Sequence, residues 1–345
     1  MGAPLPEPDA PDRIVGFAAR ALGSSLALHV RLPDGADASH RSMARDAWAA
    51  VRAEFDAVDL ALSRFREDSE LTALNRLAGT DRVVAVSWRL RTMLAAVHRA
   101  GRMTGGRFDA TVFGALEEIG ERGAELRGSA GVSVAAPGVT AADGPEQIVR
   151  LAPGEPARAS LVRAPAVPVD SGGIGKGLAL RWAVAAALRV LPVGAGLLID
   201  AGGDIATAGI PPPEGWSVGI EDPAAPNGSE AGPLAVVALE RGAVATSSVR
   251  VKNWTTADGQ RVHHLVDPRT GGPARTGLIA VTVAGVDPAW SEVWTKALFL
   301  GGRDAIGEEA RGRGLAAWWV DDRGRLGMTP AARLCATWFA EDRVR

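Results

Sequence analysis

Apolar residues recur along this chain with two different periods. Ser25-Leu26-Ala27-Leu28-His29-Val30-Arg31-Leu32 alternates loosely and ends at Pro33-Asp34-Gly35, which predicts a strand running into a turn. Over 42–65 the period lengthens: Trp48, Val51, Phe55, Val58, Leu60 and Leu62 recur near helical spacing and predict a long amphipathic helix. A second such helix is predicted over 87–103. Ala166-Val167-Pro168-Val169 leads into a glycine-rich turn and a helix over 176–190, after which Gly196-Leu197-Leu198-Ile199-Asp200 reads as a buried strand. Further short strands are predicted at 216–220, 234–239, 242–246 and 278–284. Asp258-Gly259 lies between the runs 249–252 and 261–266 and signals a tight hairpin, because both residues tolerate the positive φ such a turn needs. Hairpins this frequent, mixed with long helices, predict an α+β fold with largely antiparallel sheets rather than a doubly wound parallel one.

Composition narrows the picture. The 345 residues are 47% hydrophobic and 23% charged, enough apolar matter for a large core. Residues 1–13 are rich in proline and acidic side chains and read as a flexible tail ahead of one domain over 14–345. Between 122 and 156 glycine, alanine, proline and glutamate follow no period, which predicts an exposed insertion separating two halves. The net charge of -2 is spread evenly, so no basic face is available for nucleic acid. Cys335 is the only cysteine, which excludes an internal disulfide and a cysteine-based zinc cage. No basic-then-apolar leader and no apolar run long enough to span a bilayer can be read, so the expectation is a cytoplasmic protein without membrane insertion.

Four segments concentrate chemistry. Asp170-Ser171-Gly172-Gly173-Ile174-Gly175-Lys176-Gly177 sits at a strand-to-helix junction, where glycines let backbone N–H groups approach an anion and Lys176 adds charge; such turns also serve packing alone. Asp200-Ala201-Gly202-Gly203-Asp204-Ile205 ends a buried strand, as a ligand turn or a plain tight turn. Ala245-Thr246-Ser247-Ser248 precedes His263-His264-Leu265-Val266-Asp267-Pro268-Arg269-Thr270-Gly271, a density of polar groups beyond what a structural loop needs. Adjacent histidines on a strand point to opposite faces, so only one of His263 and His264 can enter a site. In Gly105-Gly106-Arg107-Phe108-Asp109-Ala110-Thr111-Val112, Asp109 can hold a ligand group or cap the following turn.

In this order the segments resemble the ApbE family, the FAD:protein FMN transferases. Ser69-Glu70-Leu71 to Asn75 is similar to the family's S-E-L-x-x-L-N and Phe108 to Val112 to F-D-x-T-V. Asp170 to Gly177 resembles D-x-G-G-I-A-K-G, Asp200 to Ile205 resembles N-x-G-G-D-I, and His264 to Gly271 resembles H-I-x-D-P-x-T-G. Coverage runs from about Leu22 to Gly302. The resemblance implies FAD bound between two halves, lined by Lys176, Asp204, Thr246, Ser247 and His264 to Thr270. Leu22 and Ser24 stand where the family's M-G-T flanks the flavin, and Asp109 falls in the F-D-x-T-V motif. The implied reaction is attack of a protein threonine on the flavin-side phosphorus of FAD with release of AMP, His264 as base and Asp267 orienting its loop. The resemblance also implies magnesium.

The magnesium motif departs from the family's A-D-x-x-x-T-A-L-F. Aligned on Leu298-Phe299, Glu292 takes the Asp position and Lys296 the Thr position; sliding by one recovers Thr295 but puts Ser291 at the Asp. Gly175 stands where the family's turn offers a carbonyl to the ion. On the first register Glu292 and Lys296 lie one helical turn apart, and the ammonium of Lys296 can take the place of the missing cation. The readings are therefore an FMN transferase acting on a threonine-bearing acceptor protein, an FAD-binding or FAD-cleaving relative without transferase activity or magnesium, or a noncatalytic scaffold. Asp34-Gly35, Asp143-Gly144 and Asp258-Gly259 are not followed by an acceptor-like threonine, so self-modification is not expected.

Overall fold

A computed structural model of the chain describes residues 13–120, 159–225, 232–256 and 259–344. Residues 1–12 of the proposed tail, the insertion over 122–156 and Asp258 lie outside the described residues. Eight strands form one sheet: β1 (Ile14–Ala21), β2 (Ser24–Arg31), β3 (Gly196–Ala201), β4 (Asp204–Gly209), β5 (Gly242–Ser248), β6 (Leu278–Gly285), β7 (Ala316–Asp321) and β8 (Leu326–Met328). They lie side by side in chain order, and every neighbouring pair is antiparallel. Eight α-helices accompany the sheet: α1 (Ala38–Leu62), α2 (Glu70–Asn75), α3 (Trp88–Met103), α4 (Phe113–Glu118), α5 (Gly175–Leu188), α6 (Pro288–Gly301), α7 (Ile306–Gly312) and α8 (Pro330–Cys335). The α+β, antiparallel expectation is borne out.

Alternation along the strands divides the core. Leu28 and Val30 of β2 and Leu197 and Ile199 of β3 turn to one face and pack on Val51, Phe55 and Val58 of α1 and Leu178 and Leu180 of α5. On β6, Val281 and Val283 meet Trp294, Ala297 and Leu298 of α6. Leu198, Val244, Trp318 and Val320 join a cluster with Trp216, Val218 and Val237, which belong to a three-stranded sheet ordered Ala336–Phe339, Ala235–Leu239, Trp216–Ile220. Helices thus back one face of the large sheet and a small sheet backs the other.

Several boundaries differ from the sequence expectation, each for a local reason. Helix α1 starts at Ala38 and not at 42, because Asp37 and His40 form a reciprocal capping box, and it stops at Leu62. Helix α3 matches closely, with Ser87 as its N-cap. Strand β1 carries no sequence signal of its own: Ile14-Val15-Gly16-Phe17-Ala18-Ala19-Arg20-Ala21 is a sheet edge on which exposed and partly buried residues alternate and none is fully buried, with Phe17 stacked on Trp48. The hairpin around Gly259 pairs Asn253, Trp254 and Thr255 with His263, Val262 and Arg261.

Helices α5 and α6 approach to backbone contact. A Cβ on Gly177 would stand 2.5 Å from Ala289 Cα and 2.6 Å from the Pro288 carbonyl oxygen, so only glycine fits this crossing. Replacing Gly177 by alanine is expected to cost about 1–3 kcal/mol as the helices are forced apart. Urea unfolding checks this: the midpoint falls with an unchanged slope, and an unshifted midpoint would mean that α6 can move away freely.

Candidate active site

Two tight turns meet at one end of the large sheet. Ala21 pairs with Ser24 across Leu22-Gly23, and Ala201 pairs with Asp204 across Gly202-Gly203. All four turn residues have positive φ, from 48° at Leu22 to 90° at Gly203, the pattern of type I′ hairpins. Leu22 is the one non-glycine residue with positive φ among the described residues, at a cost of about 1–2 kcal/mol. Strain of this kind concentrates at functional sites. A Cβ on Gly202 would lie 2.7 Å from Ser24 Cβ, so the two turns touch.

Asp204 links this rim to α5. One carboxylate oxygen accepts from the Thr246 N–H at 3.1 Å and the other accepts from Lys176 Nζ. Burial opposes the charge on Lys176, but Asp204, Glu292 and Asp200 outweigh it and raise the ammonium's pKa above its ordinary value. Thr246 Oγ1 bonds Thr282 Oγ1 at 2.9 Å. Ser247 turns inward: Thr295 Oγ1 donates to the Glu292 carbonyl, which leaves Ser247 to donate to Thr295 Oγ1 at 2.7 Å.

The motif segments around α2 hold the glycine turn in place. Asn75 donates to the Val169 carbonyl at 2.8 Å and accepts from the Val169 N–H at 2.9 Å. Ser171 Oγ donates to the Leu62 carbonyl at 2.6 Å, and Asp170 stands 3.2 Å from Arg64 Nε as a buried ion pair. The turn that follows lines a pocket together with Phe108, Asp109, Arg107, Lys252, His264 and Lys296. Asp109 also caps, accepting from the Thr111 N–H and hydroxyl at 2.8 and 2.7 Å, while it lines the pocket.

The histidine pair separates, but not as two neighbours on one strand: the strand ends at His263 and His264 follows it. His263 donates from Nε2 to the Ala274 carbonyl and accepts at Nδ1 from the Leu265 N–H, a structural role that uses both nitrogens. His264 lines the pocket. Its Nδ1 lies 3.2 Å from the Lys252 carbonyl and must donate to it, which leaves the lone pair on Nε2. Burial, then the positive charges of Lys252 and Lys296, push its pKa down to about 3, so the ring is neutral near pH 7. Asp267 does not touch His264 in any recorded bond; it accepts from Arg269 N, Nε and Nη2 at 2.9, 2.9 and 2.7 Å, and Arg269 holds its carboxyl below the usual range. The Asp267 carbonyl accepts from the Thr270 and Gly271 N–H groups, so this residue shapes the loop and Thr270 sits exposed on it.

The donors around α6 do not fit a divalent cation. Glu292 Oε2 accepts from the Gly177 N–H at 2.8 Å and Oε1 faces Lys296 Nζ at 3.3 Å, which occupies both carboxylate oxygens. Gly175 donates to the Ser171 carbonyl as α5 begins. Among the described residues no group of three or more His, Cys, Asp or Glu could hold a metal ion. Glu292 and Lys296 face the glycine turn and Thr295 faces Ser247. Sequence reasoning missed Arg64, Arg107 and Lys252. Arg64 and Arg107 have tertiary partners, Asp170 and Glu309, that no local pattern announces.

The ApbE family model matches residues 22–319. The chain belongs to the ApbE family. Proteins named FAD:protein FMN transferase from Klebsiella pneumoniae and Haemophilus influenzae are 28% and 26% identical to this ApbE-family chain over 282 and 321 residues, covering 80% and 89% of it and 77% and 86% of theirs. The namesake from Treponema pallidum is 29% identical over 241 residues, and the match spans 63% of that protein's length. An ApbE protein of Thermotoga maritima superposes with a TM-score of 0.75 at 22% identity, covering 94% of this chain and all of that one. The apo flavinyl transferase ApbE of Pseudomonas stutzeri gives 0.73 at 23% identity, covering 95% and 98%. No helix among the described residues is long and apolar enough to cross a membrane.

The depressed His264 value carries a stability consequence. The unfolded chain protonates near the ordinary 6.5 and the folded one near 3, so the stability from a neutral His264 is complete above about pH 6.5 and declines as pH falls toward 3. Between about pH 7 and pH 5 the wild type is expected to lose more urea stability than His264→Gln, whose side chain does not titrate. Equal losses would show that His264 charges freely in the folded state.

Proposed function

We propose that this protein is an FAD:protein FMN transferase. The observation that carries the reading is the neutral, Nδ1-anchored imidazole of His264 sharing a pocket with the ammonium of Lys296, in a chain of the ApbE family. FAD is the donor substrate, with its pyrophosphate near Lys176 and Lys296 and its flavin toward the strained Leu22 turn and Ser24. Asp109, Asp204, Thr246, Ser247 and Thr270 complete the proposed lining or hold it in shape.

In the proposed step the hydroxyl oxygen of an acceptor-protein threonine bonds to the flavin-side phosphorus of FAD. The bond from that phosphorus to the bridging oxygen breaks, AMP leaves with that oxygen, and the hydroxyl proton passes to His264 Nε2. Positioning and charge neutralisation dominate reactions of this kind. In the free protein His264 is a weak base, but the negative pyrophosphate offsets the nearby lysine charges and raises its basicity when FAD binds. Asp267 acts as a positioning residue by fixing the loop that carries His264 through Thr270.

Incubating the purified protein with FAD and a domain carrying a threonine acceptor is expected to give an acceptor heavier by one FMN, read by mass spectrometry, together with AMP. His264→Ala is expected to lower the rate by about 10²–10⁴-fold while FAD binding persists. Bound FAD that stays intact, or is cleaved without an adduct, would reject the transferase in favour of a flavin-binding or FAD-cleaving protein.

A further inference from the structure

We infer that the Lys296 ammonium is the built-in cation of this site, so that FAD is bound and its FMN transferred without a divalent metal. The inference rests on the transferase reading above and concerns the charge that faces the pyrophosphate.

Glu292 and Lys296 are one turn apart on α6 and turned to the same side. The Glu292 side chain is 3% exposed and that of Lys296 17%, so the pair is largely shielded from screening by solvent. Lys296 Nζ lies 3.3 Å from Glu292 Oε1 and 3.5 Å from the Glu292 carbonyl, which leaves ammonium donor capacity directed at the pocket it lines. Its stem runs along the glycine turn, since a Cβ on Gly173 would meet Lys296 Cδ at 3.5 Å. Lys296 and His264 line the same pocket, so the ammonium and the proposed base share it.

Asp204 holds Lys176 and the Thr246 N–H, and Glu292 holds Lys296 and the Gly177 N–H, so a divalent ion bound to either carboxylate would have to displace an ammonium. Repulsion at such short range and low dielectric disfavours the ion. A pyrophosphate meets the opposite balance, because each ammonium gains an anionic partner without giving up the one that anchors it.

The test measures FAD binding by flavin fluorescence, and FMN transfer by mass spectrometry, on the full chain in EDTA and in millimolar magnesium. Wild type is expected to bind and transfer equally, within about twofold, in both buffers. Lys296→Met, which keeps the stem and removes the charge, is expected to weaken FAD binding about tenfold or more, the loss of one charge-assisted hydrogen bond. Lys296→Arg is expected to retain most of the binding, and melting curves confirm that both variants are folded. Wild-type binding or transfer that requires magnesium overturns the inference, as does a folded Lys296→Met that binds FAD as tightly as wild type. A protein that binds FAD in neither buffer fails the flavin reading itself, a result separate from either of these.

Discussion

The site is organised around one buried carboxylate. Glu292 comes from α6, yet it caps an N–H in the first turn of α5 and holds the ammonium of Lys296. A charge this deeply buried is tolerated only when its oxygens have partners, and here one oxygen is held by a helix start and the other by a cation. The contact also explains why α5 and α6 must touch backbone to backbone: Gly177 is both the residue that permits the crossing and the residue whose N–H Glu292 accepts. Packing and electrostatics therefore depend on the same few atoms.

Around that carboxylate, charges alternate across short distances. Lys176 faces Asp204 and Arg64 faces Asp170, each pair joining two segments, and Lys296 faces Glu292 within α6. The hydroxyls of Thr246, Thr282, Ser247 and Thr295 tie β5 to β6 and to α6 between these pairs. A site built this way is preorganised for an anion, since its cations are already oriented and little rearrangement accompanies binding. His264 is the uncharged member, kept neutral by burial and by the charges of Lys252 and Lys296.

Much of this was legible where chemistry is local. The glycine-rich turn over Asp170 to Gly177, the Gly202-Gly203 turn and the run from His264 to Gly271 are dense in residue types with special backbone or titration properties, and each lies where the sequence placed it. The strand and helix periods were readable for the same reason, as in β2, β3 and α3, where burial alternates or repeats without interruption. What escaped depends on distant partners. Arg107 reaches Glu309 across 202 positions of sequence, and no periodicity marks either one. Strand β1 is a half-covered edge rich in alanine, and its place is set by pairing with β2 rather than by its own composition. The contacts of Glu292 with Gly177 and of Thr295 with Ser247 are likewise tertiary and have no local signal.

The reach of Glu292 to Gly177 also bears on how the protein assembles. These residues are 115 positions apart, so the helix start that carries the glycine turn lacks one of its caps until a segment made much later has docked. During synthesis, the first turn of α5 emerges well before its capping carboxylate exists, and closing so long a loop is entropically slow. Ligand competence is therefore acquired near the end of folding, and a chain truncated before α6 would carry the glycine-rich turn without the geometry that makes it a site.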